Sequence, residues 1–281
     1  MKKLIHFVPQ YFLNPIHPIK VSLIGAGGNG SQMLSALARI NHALIEMGGL
    51  GLNVTIYDPD TVESTNVGRQ LFTVGEIGMN KAECLVSRFN RMYGTAWRAY
   101  PSKYKMNDSP NIIITCVDNI ETRKEIGKYF RKKNLTAKHF NKNKGNYSYG
   151  YNEHYLFYWL DLGNAQKTGQ AVLGANRIPQ PESEKYETIE YLPCATEQFR
   201  LNKSMERDSG PSCSMAEALS KQDLFVNSVL VQTAGSMLWS LLTDVAIDTR
   251  GFYINLDTYR TAPIPIKQED LQLIPKTIQN K

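Results

Sequence analysis

Lys20-Val21-Ser22-Leu23-Ile24-Gly25-Ala26-Gly27-Gly28-Asn29-Gly30-Ser31 is the stretch that sets the fold class. Lys20 to Ile24 reads as a short buried strand, and a glycine turn follows at once. From Ser31 to Met47 the residues Met33, Leu34, Leu37, Ile40, Leu44 and Met47 recur at helical spacing. Gly48-Gly49-Leu50-Gly51 stops that helix, and Val54-Thr55-Ile56-Tyr57 forms the next strand, closing on Asp58. Strand, glycine turn, helix and strand make a crossover unit, which requires a parallel sheet.

Working outward, Lys81 to Arg91 is expected to be helical, with Ala82, Leu85, Val86 and Phe89 on one face. Trp97 to Tyr100 is a candidate strand, Asn111 to Val117 a buried one ending at Asp118-Asn119, and Glu121 to Lys132 a helix. The first 135 residues thus fit a doubly wound core. Residues 133–153 place Lys133, Lys138, Lys142 and Lys144 among Asn, Gly and Tyr and read as a solvated loop. Tyr155 to Leu160 and Gln170 to Gly174 read as strands paired across the Gly163–Gly169 turn. Residues 175–212, with Pro179, Pro181, Pro193 and Pro211, form a loop-rich crossover. Met215 to Leu219 starts a helix, and Asn227 to Leu242 continues as a strongly apolar one that could bury against a second subunit or within the domain. Phe252 to Leu256 is a late strand, and Pro263, Pro265 and Pro275 mark a fraying tail. The expected class is α/β: a Rossmann-like, doubly wound, mostly parallel sheet with an additional C-terminal antiparallel portion.

Composition narrows the function. In 281 residues, 42% are hydrophobic and 21% charged, which excludes disorder and fibrous repeats as whole-chain readings. No apolar run reaches the length of about 18 residues that spans a bilayer, and Met1 to Pro9 lacks the apolar run of a signal peptide. A cytoplasmic protein is expected. The four cysteines, Cys84, Cys116, Cys194 and Cys213, form no C-x-x-C pair, so neither a zinc ribbon nor a disulfide framework is expected. A net charge of +6 suits a phosphate-bearing ligand or an acidic partner and is too weak to indicate nucleic acid.

Gly25, Gly27 and Gly30 fit G-x-G-x-x-G, with a helix N-terminus offering free N–H groups to an anion. Alone, that pattern suits NAD, FAD, S-adenosylmethionine or ATP. Asp58, at the end of the second strand, can accept from ribose hydroxyls, or it is a turn residue before Pro59. Arg69 and Lys81 follow. Hydride transfer needs neither, whereas a triphosphate does: Arg forks onto phosphate oxygens and Lys neutralises a pyrophosphate leaving group.

Four ordered blocks carry a resemblance: Gly25-x-Gly27-Gly28-x-Gly30; Asp58-x-Asp60-x-Val62-x-x-x-Asn66-x-x-Arg69-Gln70; Ile77-Gly78-x-x-Lys81; and Asp118-Asn119-x-x-x-Arg123. Together they resemble the ThiF/MoeB/HesA superfamily, relatives of the ubiquitin-activating enzymes. Leu162-Gly163-Asn164, Thr168 to Gly174, Pro211-Ser212-Cys213-Ser214 and Gln222-Asp223-Leu224-x-x-Asn227 look closest to the ThiF-like proteins of PRTRC plasmid cassettes. The resemblance covers roughly residues 18–260. It implies an N-terminal extension over 1–19 and an adenylation domain over 20–260, with a nucleotide-binding half at 20–135, a C-terminal half at 154–260, and a tail at 261–281.

What the resemblance implies is ATP- and Mg²⁺-dependent adenylation of the C-terminal glycine carboxylate of a small ubiquitin-like β-grasp protein. Gly25, Gly27, Gly28 and Gly30 would form the phosphate turn, and Asp58 would hold ribose. Arg69 and Lys81 would bind the triphosphate, with Asn66, Gln70 and Asn119 lining the site. Asp118 would serve magnesium and the reacting phosphate. The attacking carboxylate is already ionised, so no general base is required. Cys213, just before an apparent helix start, would match the thioester cysteine of some members, or is an unreactive loop cysteine. Cys84 and Cys116 read as packing residues. A homodimer is implied, without nucleic acid or membrane.

Three departures stand out. Residues 1–19 hold no arginine, where many bacterial members carry one that reaches the partner subunit's ATP. Where the first zinc pair of relatives would fall, Cys194 is followed by Glu197 rather than a second cysteine, and no zinc is expected. Thr115 stands where the family often has a further acid. The alternatives are a catalytically silent nucleotide-binding scaffold and, resting on the glycine turn alone, a Rossmann oxidoreductase.

Overall fold

A computed structural model of the chain describes residues 2–136, 154–199, 217 and 220–273. The order of elements is β1 (Lys3–Phe7), α1 (Gln10–Leu13), β2 (Ile19–Ile24), α2 (Gly28–Glu46), β3 (Leu52–Tyr57), α3 (Lys81–Tyr93), β4 (Arg98–Tyr100), β5 (Ile112–Thr115) and α4 (Ile120–Thr136). Then come β6 (Tyr158–Asn164), β7 (Thr168–Ala175), β8 (Tyr186–Thr188), α5 (Ala195–Gln198), α6 (Val226–Thr243), β9 (Ala246–Ile247), β10 (Thr249–Asn255) and β11 (Arg260–Pro265).

Among the described residues the central sheet has eight strands in the order β11-β10-β7-β6-β5-β2-β3-β4. From β4 to β6 the pairing is parallel. From β6 through β7 and β10 to β11 it is antiparallel. This is the expected Rossmann-like sheet with its antiparallel portion. The strands β2 and β5 are buried at nearly every position because both faces are covered. One face carries α2, α3 and α6, whose Met33, Leu37, Leu85 and Leu230 pack with Val21, Leu23, Val54 and Ile114. Ile126 and Phe130 of α4 cover the other face against Ile24, Ile113 and Trp159. Each fully buried Leu or Met contributes about 1.5–3 kcal/mol through removal of apolar surface from water.

Helix α3 begins and ends for local reasons. Asn80 caps α3, its side chain accepting the Glu83 N–H, and Gly94 closes the helix in the left-handed region at φ +67°. The switch in winding lies between β2 and β5: the chain leaves β2 toward β3 on one side, and β5 lies on the other. In such sheets the crevice beyond the strand C-termini at this point is where ligands bind.

Two stretches differ from expectation. Pro263 and Pro265, expected to mark a fraying tail, lie within β11, which pairs with β10 from Arg260 to Pro265. The strand is the last of its sheet, so a missing N–H on its open side costs nothing. Beyond it, Asp270 returns to the core and grips buried Arg250 through two bonds of 2.9 Å, to Nε and to an Nη. The crossover at 175–212 contains β8, which joins β1 and β9 in a separate three-stranded sheet. No helix among the described residues is long and apolar enough to cross a membrane.

Candidate functional site

The glycine turn leaves β2 at its C-terminal end. Gly25 has φ +94°, and a Cβ there would sit 2.7 Å from the Cys116 carbonyl oxygen after β5. A Cβ on Gly30 would lie 1.9 Å from the Gly25 oxygen, so only hydrogen fits where the turn folds onto the helix. Gly27 differs: a Cβ there would meet nothing within 4 Å. Its backbone faces open space at the start of α2, where unpaired N–H groups and the helix dipole favour an anion. Gly28 packs against Asn227 of α6, whose Nδ2 would lie 2.4 Å from an added Cβ.

Asp58 ends β3 beside this turn and is buried. Its carboxylate accepts from the N–H of Ala26 at 2.5 Å and of Asp60 at 2.8 Å. It therefore braces the glycine turn while each oxygen keeps a further acceptor site. Burial raises its pKa from the ordinary value, opposed by those two backbone bonds. Lys81, at the start of α3, reaches Asp60 at 3.3 Å with its own side chain only 11% exposed.

Arg69 follows the 3₁₀ turn Ser64–Asn66. Its Nε donates to the Thr65 carbonyl at 3.2 Å and its Nη1 to Gln222 Oε1 at 3.2 Å. Both partners are neutral, and partial burial lowers its pKa. The buried Asn66 is spent locally, accepting the Glu63 N–H at 2.9 Å. Gln70 places its Oε1 out of solvent with no hydrogen-bond partner among the described residues.

Asp118 and Asn119 leave the end of β5. Asn119 caps α4 by accepting the Thr122 N–H at 2.9 Å. Asp118 is exposed, with no hydrogen bond or ion pair from its side chain among the described residues. Cys213 lies outside the described residues, as do Lys138, Lys142 and Lys144. Cys116 and Cys84 occupy packed positions, and burial raises both thiols.

Several residues here were not singled out as site residues in the sequence. Asp161 on β6 stands directly opposite Thr115 in register and is 2% exposed. It accepts from Thr115 Oγ1 at 2.5 Å and from Arg123 Nε at 3.0 Å, while Trp159 Nε1 donates to Thr115 Oγ1. A buried carboxylate thus lies one strand over from Thr115, paired with Arg123. A charged residue inside the apolar run Tyr158 to Leu162 was the available signal. Asn29, in the first turn of α2, donates to Asn164 Oδ1 at 2.8 Å. Gln222 and Asn227 come from the C-terminal half, 3.2 Å apart through Gln222 Nε2 and Asn227 Oδ1.

The region around Cys194 is held by an ion pair. Glu197 accepts from Arg131 Nε at 2.8 Å and Nη2 at 2.5 Å and from the Cys194 N–H at 2.9 Å. Burial pushes the Cys194 thiol up to about 11. The N-terminal lysines are engaged within their own chain: Lys3 pairs with Asp248 and Lys2 donates to the Ser183 carbonyl.

The glycine turn, the α2 N-terminus, Arg69 and Lys81 thus lie by the switch point of a doubly wound sheet, where folds of this kind bind ligands. The chain belongs to the ThiF family, whose profile matches residues 2–268. Comparison with curated proteins returns no match. Among solved structures, selenomethionine PaaA is 13% identical with a TM-score of 0.55, covering 88% of this chain and 64% of that one. E. coli MccB with ATP is 15% identical with a TM-score of 0.53, covering 88% and 63%. E. coli MccB with selenomethionine MccA is 16% identical with a TM-score of 0.54, covering 91% and 65%. These likenesses show the fold. The chain spans a little under two thirds of the length of each.

Proposed function

We propose that this protein uses ATP to adenylate the C-terminal glycine carboxylate of a small ubiquitin-like β-grasp protein, releasing pyrophosphate. The supporting observation is Arg69: a partly buried cation with neutral partners among the described residues, on the strand C-terminal side of the sheet that also carries the open Gly27 turn. A half-desolvated guanidinium without a carboxylate is suited to a ligand anion. Family membership supports the reading, as does E. coli MccB, of the same fold, solved with ATP.

In this mechanism the α2 N-terminus and Gly27 receive phosphate, and Asp58 accepts from ribose hydroxyls. The substrate carboxylate oxygen attacks the α-phosphorus, and the bond to the pyrophosphate oxygen breaks. Arg69 and Lys81 stabilise the charge that grows on that leaving group. Magnesium fits the donor set through Asp118, since it is commonly held by one or two carboxylates plus substrate phosphates, and Asp118 is an exposed carboxylate with no competing partner among the described residues. Bound there, it would neutralise phosphate charge. Attack of the Cys213 thiolate on the acyl carbon, with departure of AMP, forms the downstream step. A dithiothreitol-sensitive adduct in the wild type and its absence in Cys213→Ser test it. The protein is further assigned to the PRTRC-type branch and to a homodimer, with exposed Phe225 just before α6 and Val229 on it available.

The test is ATP–[³²P]pyrophosphate exchange with Mg²⁺, with and without a β-grasp protein. Exchange that depends on the partner and is lost in Arg69→Ala and Asp118→Ala, with the fold intact, supports the assignment. Full activity in both variants sinks it. One observation favours a second reading, a nucleotide-binding scaffold without turnover: residues 1–19 hold no arginine, and Lys2 and Lys3 are tied within the chain. Formation of AMP with any partner excludes it.

A further inference from the structure

We propose that Gln222 and Asn227 are positioning residues, forming a relay that sets the Arg69 guanidinium against the first turn of α2. The inference rests on Arg69 binding phosphate and adds to it a contribution from the C-terminal half of the chain.

Arg69 has two fixed points. The Nε bond to the Thr65 carbonyl is local and holds only the stem of the fork. The Nη1 bond to Gln222 Oε1 crosses from one half of the chain to the other and fixes the fork itself. Gln222 is in turn fixed, because its Nε2 donates to Asn227 Oδ1 at 3.2 Å. With that oxygen engaged, the Nδ2 end of the Asn227 amide lies against Gly28, where an added Cβ would be 2.4 Å away. Asn227 is 3% exposed, so its amide orientation is costly to change. The chain of contacts runs Gly28, Asn227, Gln222, Arg69.

Each member uses a property that a near relative lacks. Gly28 admits the Asn227 amide because it has no Cβ. Asn227 and Gln222 each present both a donor and an acceptor, so one neighbour orients the next. A carboxamide at 222 orients the guanidinium while leaving its charge for an anion. A carboxylate there would occupy the fork and offer the cation an internal counter-ion. Neutral positioning is what a phosphate-binding arginine requires.

The test is calorimetric binding of MgATP and of AMP to the full chain, using wild type, Arg69→Ala, Gln222→Ala, Gln222→Glu and the Arg69→Ala/Gln222→Ala double variant. Loss of a hydrogen bond to a charged group predicts that Gln222→Ala weakens MgATP about tenfold. AMP binding should change by less than about twofold, since AMP lacks the phosphates beyond the first. In the Arg69→Ala background Gln222→Ala should have no further effect. Gln222→Glu should weaken MgATP at least as much as Gln222→Ala. The relay is overturned if Gln222→Ala binds MgATP as the wild type does, loses MgATP and AMP alike, or costs the same with Arg69 absent. In those cases the phosphate role of Arg69 still stands. Wild-type MgATP binding by Arg69→Ala would instead remove that role and the relay with it.

Discussion

Acid should loosen this protein through one buried imidazole on its first strand. His6 lies in β1 and is fully buried. Its Nδ1 is 2.8 Å from the Ile189 carbonyl oxygen, so Nδ1 carries the proton. Its Nε2 is then the acceptor for the Tyr158 hydroxyl at 3.0 Å. Both ring nitrogens are satisfied by the neutral form, and burial pushes the pKa down from 6.5 to about 4. A group whose folded pKa is depressed in this way is protonated first in the unfolded chain. The unfolded state then binds the extra proton between 6.5 and about 4, and stability falls as pH falls through that window. Integrating the difference from about pH 7.5 to about pH 5 gives roughly 2 kcal/mol lost to His6 alone. Urea unfolding of wild type and His6→Gln at both pH values isolates this contribution, because titrations common to both chains cancel. The wild type should lose about 2 kcal/mol more than the variant over the interval. Equal losses would refute the assignment of His6 as a neutral, doubly bonded core residue. The strand that carries His6 is held within its own chain on both sides, by β8 and by β9.

Gly30→Ala forces a methyl to within 1.9 Å of the Gly25 oxygen. It should cost about 1–3 kcal/mol and abolish the MgATP-induced rise in Tm, while an unchanged rise would show that the turn is not the phosphate site. Asp270→Ala leaves buried Arg250 without its carboxylate. It should cost about 3–5 kcal/mol by denaturant unfolding, and a loss under about 1 kcal/mol would mean that the C-terminal return adds nothing to the core. Thr115→Asp sets a second carboxylate opposite Asp161. Two buried carboxylates sharing Arg123 should cost at least about 3 kcal/mol more than Thr115→Val, and equal stability would refute the view that Asp161 already supplies the charge there.

The chemistry along single segments was legible in the sequence. The strand, glycine turn, helix and strand from Lys20 to Asp58 announced a parallel crossover, because helical and extended periods are properties of one continuous stretch. The same holds for α3, for β5 and for α6, whose ends were anticipated within a few residues. Arg69, Lys81 and Asp118 stood out as charges in a pattern.

The tertiary structure decided what meets across the chain. Asp161 was hidden in an apolar run until register set it opposite Thr115. Pro263 and Pro265 signalled a tail, yet they form a strand because the open edge of a sheet needs no donor from them. Nothing local links Arg250 to Asp270, Gly28 to Asn227 or Gln222 to Arg69, since each pair joins segments far apart in the chain. Periodicity reports which side of a segment is buried. Which polar groups are then brought together is decided by packing, because a buried donor or acceptor is stable only where a partner from another segment arrives to satisfy it.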